Sequence, residues 1–342
     1  MITSSPTSYR WPHRLALLSA VVTFPLIWVG GLVTSYDAGM AVPDWPGTYG
    51  YNLFAYPWTT WFFGPWDIFV EHGHRLLGAA IGLLMIALVA TTFAVRAPRW
   101  LIQFAFFLLA LVILQGILGG ARVNLDERLI ALLHGCTGPV FFVSLVAFAV
   151  VTSPRFPLSR PLESQSTEDR QPANRLATAA WGFAAVCYLQ LVLGALVRHV
   201  PVTSTAGFFR AVMLLHIVLA VMILAQALLL GVTIIRAKQG NSVSRWVGWS
   251  LLLVVTVQIG LGIMTYVSKY AWPEWMGSFQ FAAAHVTREK SVLQALLATA
   301  HVANGSLILA AAVIMSLQAS RVWRPAAVIA SSAPFLLVRT SA

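Results

Sequence analysis

Eight apolar runs, each long enough to cross a bilayer, govern what this chain can become. They lie at roughly 14–36, 70–95, 99–120, 129–152, 175–198, 211–236, 246–268 and 292–319. A spanning helix needs about 20 mostly apolar residues. Only 10% of the chain is charged, against about 25% in soluble domains. The reading is an all-α polytopic membrane protein with eight transmembrane helices. The first run follows Arg10 and Arg14, as the core of a signal peptide would. It is too long for that, and no small-residue cleavage motif follows it, so it is read as the first span.

The formal net charge is +11, but nucleic acid is excluded as a partner. The Lys and Arg residues are scattered through short loops rather than gathered on one face. Their distribution reads as topology instead. With the N-terminus inside, 14 of the 22 fall on the inner side: Arg10, Arg14, Arg96, Arg99, Arg155, Arg160, Arg170, Arg175, Arg236, Lys238, Arg245, Arg321, Arg324 and Arg339. The long first outer loop, Asp37 to Val70, has no Lys or Arg. Both termini are expected in the cytoplasm of a bacterial-type cell membrane. Cys136 and Cys187 both sit inside apolar runs, so neither a disulfide framework nor a cysteine metal site is readable.

The polar stretch "SPRFPLSRPLESQSTEDRQPAN" divides the runs four and four, and the halves echo each other. "WVGGLVTSYDAG" resembles "LVLGALVRHV", and "LQGILGGARV" resembles "VQIGLGIMTYV". Such repeats predict two pseudo-symmetric four-helix bundles. The expected domains are 1–152, a linker 153–174, 175–320 and a tail 321–342.

Four histidines fall within or at the ends of apolar runs: His74, His134, His216 and His301, one on each even-numbered run. All lie toward the predicted outer end. Imidazole in a membrane span points to function. Four residues after each stands a small residue, Gly78, Gly138, Ala220 and Gly305, on the same helix face. A flat macrocycle whose iron is bound by imidazole needs clearance beside that imidazole, so the set reads as two bis-histidine haem sites. Small residues also serve plain helix packing. Zinc is the other imidazole partner, but it wants further ligands, and only Glu71 stands near. His13, His199 and His285 read as solvated loop residues, and His72 faces away from His74, toward the interface.

Glu71 shares a helix face with His74. It reads as an acid–base group or as a favourable charge near the helix start. Arg75, Arg122, Arg128, Arg198 and Arg210 stand near outer helix ends, against the inside bias. Guanidinium pairs well with haem propionates, while interface anchoring is the plainer role. Gln115 and Gln258 sit at equivalent places and read as interhelical hydrogen bonders. Trp45, Trp58, Trp61 and Trp66 read as an interfacial aromatic belt, and Asp44 as a turn former.

Glu71-x-x-His74-Arg75 resembles the signature of the heme A synthase family. So does the loop segment "GGLVTSYDAGMAVPDWPGTYG", through Gly30, Gly31, Leu32, Val33, Gly39, Pro43, Asp44, Trp45 and Pro46. The resemblance covers about residues 14–320. It implies oxidation of a porphyrin methyl of heme O to a formyl group, giving heme A for terminal oxidases. It implies that His74 and His134 hold the substrate haem and that His216 and His301 hold a heme B cofactor. Glu71 would be the acid near the reacting methyl. Implied partners are a heme O synthase, the terminal oxidase assembly machinery and a membrane electron donor. One departure is plain: the loop cysteine pairs of many bacterial members are missing here. The rival readings are a diheme b-type electron carrier, which would need the histidines but not Glu71, and a transporter, which would place its polar residues at the midplane.

Overall fold

The computed structural model describes residues 9–154, 167–201, 203–236, 242–270 and 291–322. His285, most of the expected linker and the tail beyond 322 lie outside the described residues. The helices are α1 (Arg10–Ser35), α2 (Trp58–Phe63), α3 (Trp66–Ala94), α4 (Arg99–Leu125), α5 (Arg128–Thr152), α6 (Thr167–Arg198), α7 (Ala206–Arg236), α8 (Ser242–Tyr270) and α9 (Val292–Val322). Eight of them, all but α2, are long and apolar enough to cross a membrane. The chain is an all-helical integral membrane protein among its described residues.

Several ends differ from the apolar runs because polar turns at a span's edge still carry helix. Helix α3 begins at Trp66 behind Pro65, with Asp67 in its first turn. That placement suits both the proline and the helix dipole. Helix α4 runs on to Leu125 and stops at Asp126, whose φ of 48° is left-handed. Helix α6 begins at Thr167, inside the expected linker. Thr167, Glu168 and Asp169 are good residues for a helix start. Pro25 in α1 and Pro139 in α5 each leave one carbonyl without its helical donor.

The packing repeats. Helix α1 meets α3, α3 meets α4, α4 meets α5, and α5 closes on α1. Likewise α6 meets α7, α7 meets α8, α8 meets α9, and α9 closes on α6. The two rings touch through α1 with α9, α5 with α9, and α5 with α6. Ile81, Met85, Leu88, Leu101, Leu108, Leu145 and Phe148 fill the first ring. Phe183, Leu219, Ile223, Leu251, Val255, Leu309 and Met315 fill the second, joined by Phe142 of α5. Apolar side chains such as Ile86, Ile113, Leu214, Val221 and Leu229 point outward, as lipid permits and water would not.

Candidate functional site

The four histidines stand at one level. His74, His134, His216 and His301 lie some 6–10 residues inside the N-terminal ends of α3, α5, α7 and α9, which is about 9–15 Å at 1.5 Å per residue. They meet in two pairs. The His74 and His134 rings are 6.4 Å apart and inclined at 80°; those of His216 and His301 are 6.3 Å apart at 69°. Each residue is half-buried. Yet the Nδ1 atom of all four is buried without a hydrogen-bond partner, a state that costs about 1–3 kcal/mol per atom.

These observations fit a haem. A metal bound by imidazole on both sides sits about 2 Å from each nitrogen, and roughly one further ångström on either side reaches the ring centre. That sum is close to both ring separations. Zinc fits less well: no group of three or more His, Cys, Asp or Glu able to hold a metal stands among the described residues.

Of the three glycines, the clearance read from the sequence holds at one. A Cβ at Gly78 would meet nothing within 4 Å. At Gly138 and Gly305 it would stand 3.5 Å from Gln115 Oε1 and 3.4 Å from Gln258 Nε2. There the room is taken by a glutamine amide. Different glycines touch the imidazoles. Gly30 faces His74, Gly119 faces His134, Gly194 faces His216 and Gly262 faces His301. The sequence reading missed this role. Its signal was Gln-x-x-x-Gly, at Gln115–Gly119, Gln190–Gly194 and Gln258–Gly262.

Glu71 is not a helix-end charge. It is the sixth residue of α3 and 3% exposed. Its Oε2 accepts from the Val42 N–H at 2.8 Å, and its Oε1 from Arg75 Nη2 at 2.7 Å. Arg75 Nη2 also donates to Val42 O at 2.8 Å, while Nη1 donates to Asp44 O at 2.6 Å and Gly47 O at 2.7 Å. The ion pair is thus the peg on which the first outer loop hangs. His72 is a second peg. It is 2% exposed, not interfacial, with its Nδ1 2.9 Å from Thr48 Oγ1 and its ring between Tyr56 and Trp61. Trp61 donates to Phe69 O at 3.0 Å and stacks on Phe69, whereas Trp58 and Trp66 are largely exposed, as belt residues would be.

Asp44 shapes the loop's turn as expected. Its Oδ1 accepts from the Tyr49 N–H at 2.7 Å and its Oδ2 from the Gly50 N–H at 3.0 Å. Tyr49 and Gly50 have positive φ, and Thr48 and Tyr51 pair across them. Burial works to raise the Asp44 pKa, but the Gly50 and Tyr49 N–H groups and nearby Arg75 outweigh it and hold the carboxyl below its ordinary range. Its support of the turn is therefore present at neutral pH and lost as the pH falls through that depressed value.

The loop is docked on α4 as well. The Trp45 ring lies directly over Gly120, and the Arg122 guanidinium directly over Gly39. Neither glycine has room for a Cβ. Gly120→Ala is expected to push Trp45 off α4 and raise the rate of proteolytic cleavage in the loop. Gly116→Ala, whose Cβ would meet nothing within 4 Å, is expected to leave that rate unchanged.

The five arginines do not form one cluster. Arg75 is held by the loop. Arg198 Nη2 donates to Gly31 O and Ser35 Oγ, both at 2.7 Å, and so ties α6 to α1 across the two rings. Arg128 and Arg210 are exposed, and Arg128 Nη1 donates to Val200 O at 3.1 Å. Arg122 is the one whose charge bears on both His74 and His134. Arg198→Ala removes two charge-assisted bonds of about 1.5–3 kcal/mol each. A lowered melting temperature in detergent is the expected result.

Two histidines read as solvated are not. His13 Nδ1 stands 2.9 Å from Ala149 O. His199 is half-buried beside Gly135. Burial, with Arg198, Arg122, His134 and Arg128 nearby, pushes its pKa down to about 4 and keeps it neutral.

Residues 65–207 match the family model described as cytochrome oxidase assembly protein (COX15-CtaA). That stretch holds Glu71, His74 and His134; His216 and His301 lie beyond it. The chain is 29% identical over 247 residues to the heme A synthase of Exiguobacterium sibiricum, covering 67% of this chain and 78% of that protein. It is 35% identical over 189 residues to the heme A synthase of Symbiobacterium thermophilum, covering 53% and 56%. A third heme A synthase, from an Exiguobacterium species, is 30% identical over 196 residues, covering 56% and 60%. The chain thus spans little more than half the length of the last two relatives.

Proposed function

We propose that this chain is a member of the heme A synthase family and oxidises a methyl group on the porphyrin of heme O to the formyl group of heme A. The observation that carries the reading is the pair of facing imidazole couples, each histidine with a buried, unpartnered Nδ1. Only the first couple carries an acid three residues before one of its histidines. Glu71 lies three residues before His74 on α3, and no Asp or Glu occupies the corresponding place before His216 or His301.

In this reading His74 and His134 hold the substrate haem, and His216 and His301 hold a resident heme B. When bound, that heme B supplies one-electron chemistry tuned by its ligands and surroundings. The chain's own residues do the rest. The histidines fix the plane of the substrate through α3 and α5. Glu71 has about four lone-pair positions, and two are engaged by Val42 and Arg75. The others can accept a proton or steady positive charge developing near the methyl. Arg122 is the proposed partner of a propionate, by its closeness to both histidines. The loop from Val42 to Gly47, held by Arg75, covers this end and limits water. Both termini are placed in the cytoplasm, with the haem sites toward the outer face and electrons arriving from a membrane donor.

The diheme carrier shares the histidines but makes no product. Purified chain given heme O, reductant and air separates the two. A synthase consumes more than one heme O per chain over time; a carrier returns the heme O unchanged.

A further inference from the structure

We propose that Gly30, Gly194 and Gly262 are positioning residues, one device used three times to set where an imidazole stands, with Gly119 at the equivalent but looser place beside His134. The inference rests on the haem reading above and adds the residues that aim the ligands. Each of the four glycines lies on the spanning helix that precedes its histidine's helix: α1, α4, α6 and α8 serve α3, α5, α7 and α9. A Cβ at these positions would stand from the ring Cε1 by 2.9 Å at Gly30 and His74, 3.5 Å at Gly119 and His134, 3.0 Å at Gly194 and His216, and 3.1 Å at Gly262 and His301. The imidazole is therefore pressed against main chain, which cannot swing aside as a side chain can. Such fixing matters for a ligand whose lone pair must point at one place. General helix packing does not account for it, because Gly116 and Gly260 on the same α4 and α8 touch nothing within 4 Å.

The residue one turn before each glycine splits the couples. Gln190 Nε2 and Gln258 Nε2 each stand 3.4 Å from Nε2 of their histidine, His216 and His301. Asn304 donates to Gln258 Oε1 at 2.8 Å, which turns the Gln258 amide N–H toward the ring. In the first couple Gln115 donates to Thr137 instead, and Leu26 has no polar group. A neutral imidazole has one lone pair, so the Gln190 and Gln258 amides would have to turn from Nε2 for that nitrogen to take iron, whereas Gln115 is already turned to Thr137.

The test uses the full chain, purified in detergent and loaded with hemin. Absorption and electron paramagnetic resonance report the share of low-spin, doubly imidazole-bound iron. Gly30→Ala, Gly194→Ala and Gly262→Ala are expected to lower that share several-fold. Gly119→Ala, at ordinary contact distance, and Gly260→Ala are expected to match the parent. A parental spectrum in Gly194→Ala and Gly262→Ala would overturn the positioning role. A parent chain that takes up no low-spin hemin would instead overturn the haem reading beneath it. Should Gly262→Ala fail to accumulate, adding His301→Ala removes the clash and is expected to restore accumulation, because the two positions are coupled. A double variant that still fails would show that the ring is not what Gly262 accommodates, and would also overturn the role.

Discussion

Glu71→Ala is expected to release the first outer loop and to destabilise the chain by about 3–5 kcal/mol, the usual result of leaving one member of a buried ion pair uncompensated. Arg75 and Glu71 side chains are 9% and 4% exposed in their 2.7 Å pair. Removing the carboxylate strands the guanidinium and the Val42 N–H together. The measurement is a thermal melt in detergent with limited proteolysis of the loop. Glu71→Gln separates anchoring from chemistry. It keeps an acceptor for one neighbour, so folding and haem uptake are expected to survive while heme O oxidation stops. An active Glu71→Gln enzyme would leave Glu71 as a loop anchor alone.

The histidine couples are expected to fail in different ways. His216→Ala or His301→Ala should purify without the tightly held haem. His74→Ala or His134→Ala should keep that haem and its spectrum but lose conversion of heme O. Losing even an outer partner of a metal ligand costs about 10–100-fold, so losing a ligand of the substrate should exceed that. A normal resident-haem spectrum in His216→Ala would remove the second couple from its assigned role.

Much of this was legible in the sequence because membrane burial makes polar residues conspicuous. Eight spans followed from length and hydropathy, and four histidines stood out against apolar neighbours. What the sequence hid is contact. Glycine is common in membrane helices, so nothing marked Gly30, Gly194 and Gly262 as ring seats while Gly78 opens on space. The arginines looked alike at their helix ends, yet Arg75 turns to loop carbonyls, Arg198 to α1, and Arg122 lies over Gly39. His72 was placed by helical angle alone, which shows that it faces away from His74 but not that a folded loop waits there with Thr48. Glu71 looked like a residue of the first turn because the apolar run starts beside it, while the helix begins at Trp66, behind Pro65 and four residues before the run's edge.

Formation of heme A by this chain is measured in a host that makes heme O and has no heme A synthase of its own. Haems would be extracted from cells with and without this chain and separated by chromatography. Heme A, or its hydroxylated precursor, is expected only where the chain is present, and not with Glu71→Gln or His74→Ala. Abundant heme B bound to the chain, with heme O unchanged in cells that supply electrons, would contradict it.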